Sequence, residues 1–496
     1  MTHSVKTNSA RTQTARFGRF MITSALTAAT LVAYSAQAQA DGPWTEWDTQ
    51  NNFSHTSDGT NTTITTSADR AGGNSPDLDI DAHESVRVNQ VSSDALFYGR
   101  AADDADPTQI LGSLSSNGRL LIIDRNGVFF GAGSQVDAAG IITTTGDISD
   151  DQINNNEFGK YTIENLNGTG SIELNGQITV AEAGLAGFVS PVVKNNGVIN
   201  AKLGKVAFAS GEKVTLDLYG DKLVEIEVAG DGADALLENT GTISAEGGHI
   251  QMTAASAKQA VDNIINVEGV VTASSATRQG GKIVLGGADS GTVKVAGKLD
   301  ASGTKGGSIA VTGKNVHVTQ TAELSADAGE NGDGGEIYMI GENSAMLQGS
   351  VTARGGSQTG NGGFVELSSD NEYGIAGAKV DTTAANGETG IFLIDPRDLE
   401  LRIGTRSGLD IWNIYESDIE LLSWATDIEL NARRNFTVSE QVYGSSDGII
   451  TINNGNNLNI WTQNSPYSYT IPRLFRPEIT VNETDNSGSI DLTGNT

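Results

Sequence analysis

Gly306-Gly-Ser-Ile-Ala-Val311, Gly334-Gly-Glu-Ile-Tyr-Met339 and Gly362-Gly-Phe-Val-Glu-Leu367 share one frame, and Gly247-Gly-His-Ile-Gln-Met252 and Gly280-Gly-Lys-Ile-Val-Leu285 extend it upstream. The frames begin 33, 26, 28 and 28 residues apart. A second motif falls between them: Thr242-Ile-Ser-Ala245, Val270-Val-Thr-Ala273, Lys298-Leu-Asp-Ala301, Glu323-Leu-Ser-Ala326 and Ser350-Val-Thr-Ala353. Each unit therefore reads as strand, Gly-rich turn, strand. A fixed period of this size is the mark of a solenoid, because no single unit can bury its apolar side chains but stacked units share one narrow core. Alternation places Ile250 with Met252, Ile283 with Leu285 and Ile309 with Val311 on the inner face. The glycines are expected to supply positive φ at the corners. A closed propeller ranks lower, since the unit shows two clear strands and no aromatic signature per blade.

The composition agrees. The chain has 496 residues with 61 Gly, 8 Pro and no Cys, and 6% aromatic residues. With 31 Lys+Arg against 61 Asp+Glu, its formal charge is −30. Such a surface repels nucleic acid and anionic lipid, so no nucleic-acid partner is expected. Residues 1–40 read as a secretory signal. Lys6, Arg11, Arg16 and Arg19 form a basic leader, Phe20 to Ala33 is an apolar run too short to span a membrane, and Ala38-Gln39-Ala40 fits a cleavage site before Asp41. In an exported chain the lack of Cys means no disulfide framework and no thiol chemistry.

Upstream of the repeats, Pro107-Thr-Gln-Ile-Leu-Gly112, Asn117-Gly-Arg-Leu-Leu-Ile-Ile123, Asp124-Arg125-Asn126-Gly127 and Ser134-Gln-Val-Asp-Ala-Ala-Gly140 occur in sequence, preceded by Thr63-Ile-Thr-Thr66 and Val86-Arg-Val-Asn89. Gly184-Leu-Ala-Gly-Phe-Val189 and Gly204-Lys-Val-Ala-Phe-Ala209 follow. Together these blocks resemble the filamentous-haemagglutinin-type secretion domain (haemagglutination activity domain family) of exoproteins exported by two-partner secretion. The resemblance covers roughly residues 45–230, and Phe392-Leu-Ile-Asp-Pro396 resembles a block found downstream in such proteins. It implies a right-handed parallel β-helix and a dedicated outer-membrane transporter with periplasmic recognition domains. It also implies a protein secreted via the periplasm to the cell surface or medium. The expected function is an adhesin-like protein that binds a host-cell, matrix or glycan ligand, and is not an enzyme. Asp124, Arg125, Asn126 and Gly127 stand where the family has an Asn-Pro-Asn-Gly turn. Asn126-Gly127 keeps the turn chemistry, since both residue types tolerate positive φ. Asp124 and Arg125 depart from the motif, which leaves the role of the first two positions open.

The expected organisation is a signal peptide over 1–40, the secretion β-helix over 41–235, Gly-rich β-helix repeats over 236–390, and an aromatic-rich β segment or cap over 391–496. Phe392-Leu-Ile-Asp-Pro396 breaks the Gly-Gly frame, and Trp412, Trp424, Phe436 and Trp461 follow it. Trp424 and Phe436 are expected to plug the solenoid, whereas Tyr467 and Tyr469, in a Pro-flanked loop, are the candidate ligand contacts. The last residues form a strand-like run, Ser489-Ile-Asp-Leu-Thr493, so a separate toxin domain is not expected.

Chemistry beyond binding has little support in the residues. His3, His55, His83, His249 and His317 are scattered and lack metal-ligand spacing, and His249 and His317 read as solvent-facing rung residues. Gly329-Glu-Asn-Gly-Asp-Gly-Gly-Glu336 comes nearest to a calcium repeat but reads as a bare acidic turn. No cofactor or metal is expected. The rival reading is a β-helical carbohydrate-active enzyme, a polysaccharide lyase or glycosidase, which needs carboxylates clustered on one face.

Overall fold

The computed structural model describes residues 42–440 apart from 102–104, 156–158, 167–169, 218–223, 228–234, 256–263, 276–279, 288–290 and 407–409, together with 451–452, 456–462 and 482–483. Over this span the alternating runs stack as a right-handed parallel β-helix. Three ladders run along it. The first carries the Gly-Gly frames, from Arg70–Ser75 through Lys282–Gly287 to Leu458–Thr462. The second is a 13-stranded sheet that ends with Lys379–Asp381 and contains the intervening motif. The third runs from Thr108–Ile110 to Glu372–Gly374. It was not visible as a separate strand in the repeat, because two of its members are continuous with the first ladder in the long strands Ser308–Val318 and Glu336–Leu347. These two strands turn the corner between Gly313 and Asn315, where the register shifts.

The inward columns are those that alternation predicts. Ile250, Ile283, Ile309, Ile337, Val365 and Phe392 lie one above another in register, all without exposed surface. Phe392-Leu-Ile-Asp-Pro396, which departs from the Gly-Gly frame, forms the next rung, with Phe392 on Val365 and Ile394 on Leu367. The 391–432 region adds two first-ladder rungs and a short helix, Glu416–Leu422. Phe436 is buried as expected, but Trp424 is 55% exposed and does not plug the solenoid. It follows the helix instead of lying in a strand, so no inner face receives it.

The glycines of the frame work differently from the expectation. Only Gly247 among them has positive φ. At Gly335 a Cβ would lie 2.1 Å from the Gly307 carbonyl oxygen of the preceding rung, and at Gly363 it would lie 2.2 Å from that of Gly335. The glycine column thus exists because successive backbones approach too closely for any side chain. At the start of the helix, Phe53–Ser57 pairs antiparallel with Asn61–Thr66. Trp44 closes the first rungs there. It is 1% exposed, its indole Nε1 donates to the Leu78 carbonyl at 2.7 Å, and its ring stacks on Phe97 with centroids 6.3 Å apart.

Two outcomes follow from these contacts. Gly335→Ala forces two rungs apart and should lower stability by about 1–3 kcal/mol. Gly377→Ala, where φ is +80° and a Cβ meets nothing within 4 Å, should cost only the ~1 kcal/mol of a left-handed residue. Urea midpoints of the two variants test the ordering.

His249 stands outward between Lys205 and Lys282 on adjacent rungs. It is half-buried rather than freely solvated, and its Nε2 is enclosed with no hydrogen-bond partner among the described residues. Burial, then Lys282 and Lys205, push its pKa down from 6.5 to about 4. Between those values the unfolded chain binds the proton that the folded chain refuses, so stability falls as pH drops through this window, by about 3 kcal/mol at its foot. His249→Gln should remove that part of the acid sensitivity, read as a smaller loss of urea midpoint between pH 7 and pH 4.

Candidate secretion-recognition site

The turn at 124–127 joins the strand Arg119–Ile123 of the first ladder to Gly127–Phe130 of the third. Its four residues divide by direction. Asp124 is fully buried and Gly127 is buried, while Arg125 and Asn126 face solvent. The Asp124 carboxylate gathers three hydrogen bonds. Oδ2 accepts from the Thr108 backbone N–H and hydroxyl, each at 2.7 Å, and Oδ1 accepts from the Asn126 N–H at 2.8 Å. One side chain therefore ties the preceding third-ladder strand to the turn and fixes the turn's own backbone. Burial pushes the Asp124 carboxyl above the usual range, against the hydrogen bonds from Asn126 and Thr108.

Gly127 has φ +130°, and a Cβ there would lie 2.7 Å from the Ser171 carbonyl oxygen. The motif departure at the first position thus keeps a structural role, because carboxylate and amide oxygens both accept hydrogen bonds. At the second position the Arg125 guanidinium is simply presented outward.

Above this turn the outer face of the first ladder is covered. Leu96, Tyr98, Leu121, Ile123 and Ile142 form a second core with Ile153, Tyr161, Ile163, Val214 and Leu216. The cover consists of the short helix Asp150–Asn155 and an antiparallel sheet of Lys160–Ile163, Lys213–Asp217 and Val224–Glu227. This cover has no counterpart in the organisation expected from the sequence. Its signal was nevertheless present: Leu120-Leu-Ile-Ile123 is a continuous apolar run, the pattern of a strand buried on both faces, and does not alternate. Beside the cover lies a cleft of about 250 Å3 lined by Gly140, Leu185, Arg119, Lys205, Asp94 and Glu182 among others. Arg119 pairs with Asp94 at 2.7 Å.

The remaining expected sites fare differently. Tyr467 and Tyr469 lie outside the described residues. No group of three or more His, Asp or Glu side chains among the described residues is placed to hold a metal ion. In the Gly329–Glu336 turn, the Asp333 carboxylate accepts from the Asn361 N–H at 2.9 Å, which ties one turn to the next.

A family model described as the TPS secretion domain matches residues 38–300, more than half of the 496-residue chain. This chain belongs to the TPS secretion domain family. Domains of this family belong to exoproteins that cross the outer membrane by two-partner secretion, with a transporter as the second partner. The TPS match includes the turn at 124–127, the covering sheet and the first Gly-Gly rungs.

Two curated relatives carry the name heme/hemopexin-binding protein. One, from Haemophilus influenzae strain Rd, is 27% identical over 217 residues, 43% of this chain and 23% of the relative. Another from Haemophilus influenzae is 24% identical over 241 residues, 45% of this chain and 26% of the relative. The match thus spans about a quarter of the length of each relative. Among solved structures, the HMW1 secretion domain from Haemophilus influenzae has the same fold, with a TM-score of 0.54 and 20% identity over 83% of this chain and 97% of that one.

Asp124→Ala leaves the buried Thr108 N–H and hydroxyl without their acceptor and releases the Asn126 N–H that fixes the turn. The expected loss is about 1–3 kcal/mol, seen as a lower urea midpoint with unchanged slope.

Proposed function

We propose that this chain is an exported binding protein whose early rungs serve export and whose later rungs present a ligand-binding surface. In this reading residues 1–40 direct the chain to the periplasm and are removed after Ala40. Residues 41–235 are the part that the periplasmic recognition domains of the transporter engage. Residues 236–390 extend the helix, and 391–496 close it. The protein acts outside the cell as an adhesin toward a cell-surface, matrix or glycan ligand, and it is not an enzyme.

The observation that carries the export half is the division of the 124–127 turn. Asp124 and Gly127 build it, and Arg125 and Asn126 are left on the surface at the place of the family motif. Rung stacking explains how export can proceed without ATP. Each emerging rung adds its ladder hydrogen bonds and apolar columns to a template already folded, so folding outside biases transport outward. The name of the relatives raises haem or hemopexin as an alternative ligand. It describes proteins of which about a quarter is matched.

The test is export of the full chain from a Gram-negative host, with and without a family transporter encoded in the same genome. The expected outcome is transporter-dependent release, reduced at least tenfold by Arg125→Ala with Asn126→Ala. These two replacements leave the buried half of the turn intact, so the variant's urea midpoint should match the wild type. Export that ignores the transporter would sink the assignment of residues 41–235.

A further inference from the structure

The outward columns of the first ladder change character along the helix. One column runs Lys205, His249, Lys282 and Ser308, then becomes Glu336, Phe364 and Ile391. The next runs Ala207, Gln251, Val284 and Ala310, then becomes Tyr338, Glu366, Leu393 and Glu429. Columns that are basic, small or amide-bearing upstream, with a single valine at Val284, thus carry rings, branched aliphatics and carboxylates from Glu336 onward. The Tyr338 and Phe364 rings lie 5.8 Å apart and tilted by 51°, and the Tyr338 hydroxyl donates to Glu336 Oε2 at 3.0 Å. Ile340, on the same face, is 37% exposed. Phe364, Ile391 and Leu393 are each partly exposed.

Upstream, apolar residues on this same face are sealed by the antiparallel sheet that the chain itself provides. Downstream, nothing among the described residues covers them. The charge around the downstream patch narrows what could. Glu366 and Asp395 are both held above the usual carboxylate range, chiefly by burial. Arg433 reaches Asp395 at 3.7 Å from its flank. Half-buried carboxylates beside rings gain most from a formal cation brought close to them. A sugar would offer hydroxyls and leave the charge in place. A second copy of this chain, at a formal −30, would add like charge. Haem propionates or nucleic acid would be repelled.

We propose that the outward face formed by Tyr338, Phe364, Ile391 and Leu393, with Glu336 and Glu366, binds a cationic amphipathic segment of another protein. Its apolar side chains lie on the rings and aliphatics, and its Lys or Arg heads meet the carboxylates. This rests on the reading of the later rungs as the ligand-binding part of the protein.

The experiment titrates the exported chain into a fluorescein-labelled dodecapeptide of alternating Lys and Leu, by anisotropy at 50 and 300 mM NaCl. Four proteins are compared: wild type, Tyr338→Ser with Phe364→Ser, Glu336→Gln with Glu366→Gln, and Asp48→Asn with Asp69→Asn. The last pair removes the same charge from exposed positions elsewhere. The expected result is binding weakened at least tenfold in both patch variants and by less than twofold in the control pair, with the charge-dependent part lost at high salt. Equal affinity for all four proteins overturns the proposal. Binding of the neutral tetrasaccharide chitotetraose that is lost in the patch variants, without peptide binding, also overturns it and assigns the face to a glycan. Adhesion of the wild-type protein to host cells is scored separately. Its absence sinks the adhesin reading alone, whereas absent peptide binding sinks the patch alone.

Discussion

The structure depends on in-register stacking of one rung on the next. No rung closes a core by itself: Ile309 is buried only because Ile283 lies on one side and Ile337 on the other. The ladder hydrogen bonds fix that register, and a shift of one residue would turn every inward side chain of a strand outward. The glycine column serves the same constraint. Gly307, Gly335 and Gly363 let the backbones meet at distances that a Cβ would forbid. Periodicity in the sequence is therefore a direct consequence of geometry, since each rung must return the chain to the same three faces.

This explains which parts of the fold were legible. The inward columns could be read because alternation and the Gly-Gly frame recur in one chain. The third ladder escaped because its members in two rungs continue from the first-ladder strands through a corner at Gly313 or Gly341, with no turn signal to separate them. The Phe392 rung departs from the Gly-Gly frame because one of the paired glycines is missing. Gly390 alone still meets the Gly363 carbonyl, where a Cβ would lie 2.0 Å away. Trp424 was misplaced because Leu421-Leu-Ser-Trp424 reads as a strand when it stands alone. In the fold Leu421 and Leu422 end a short helix, and Trp424 follows it on the surface.

The candidate site was legible in place and less so in role. The resemblance located the turn at 124–127, but only coordinates reveal that Asp124 is a buried acceptor for Thr108 and that Arg125 and Asn126 are the surface half. A motif letter records which residue is kept, not whether it is kept for folding or for contact. The outward positions carry the opposite lesson. The frame already marked Glu336, Tyr338, Phe364 and Glu366 as outward by alternation. What it lacked was the register that makes neighbours of Tyr338 and Phe364, which are far apart in sequence.

The same sheet face serves two purposes at its two ends for a physical reason. A parallel β-helix satisfies its backbone along the stack, so the outer face of a ladder has no structural demand to be apolar. Apolar side chains placed there need cover. In the early rungs the chain supplies it with the helix Asp150–Asn155 and the antiparallel sheet, and the continuous apolar runs of Arg119–Ile123 and Lys205–Ser210 follow from burial on both sides. In the rungs from Glu336 to Leu393 the outer rings and aliphatics are interleaved with carboxylates instead, and no described segment covers them. Largely apolar under the helix and antiparallel sheet, and mixed where no described residue covers it, the outer face distinguishes a buried support from a surface built for contact with water.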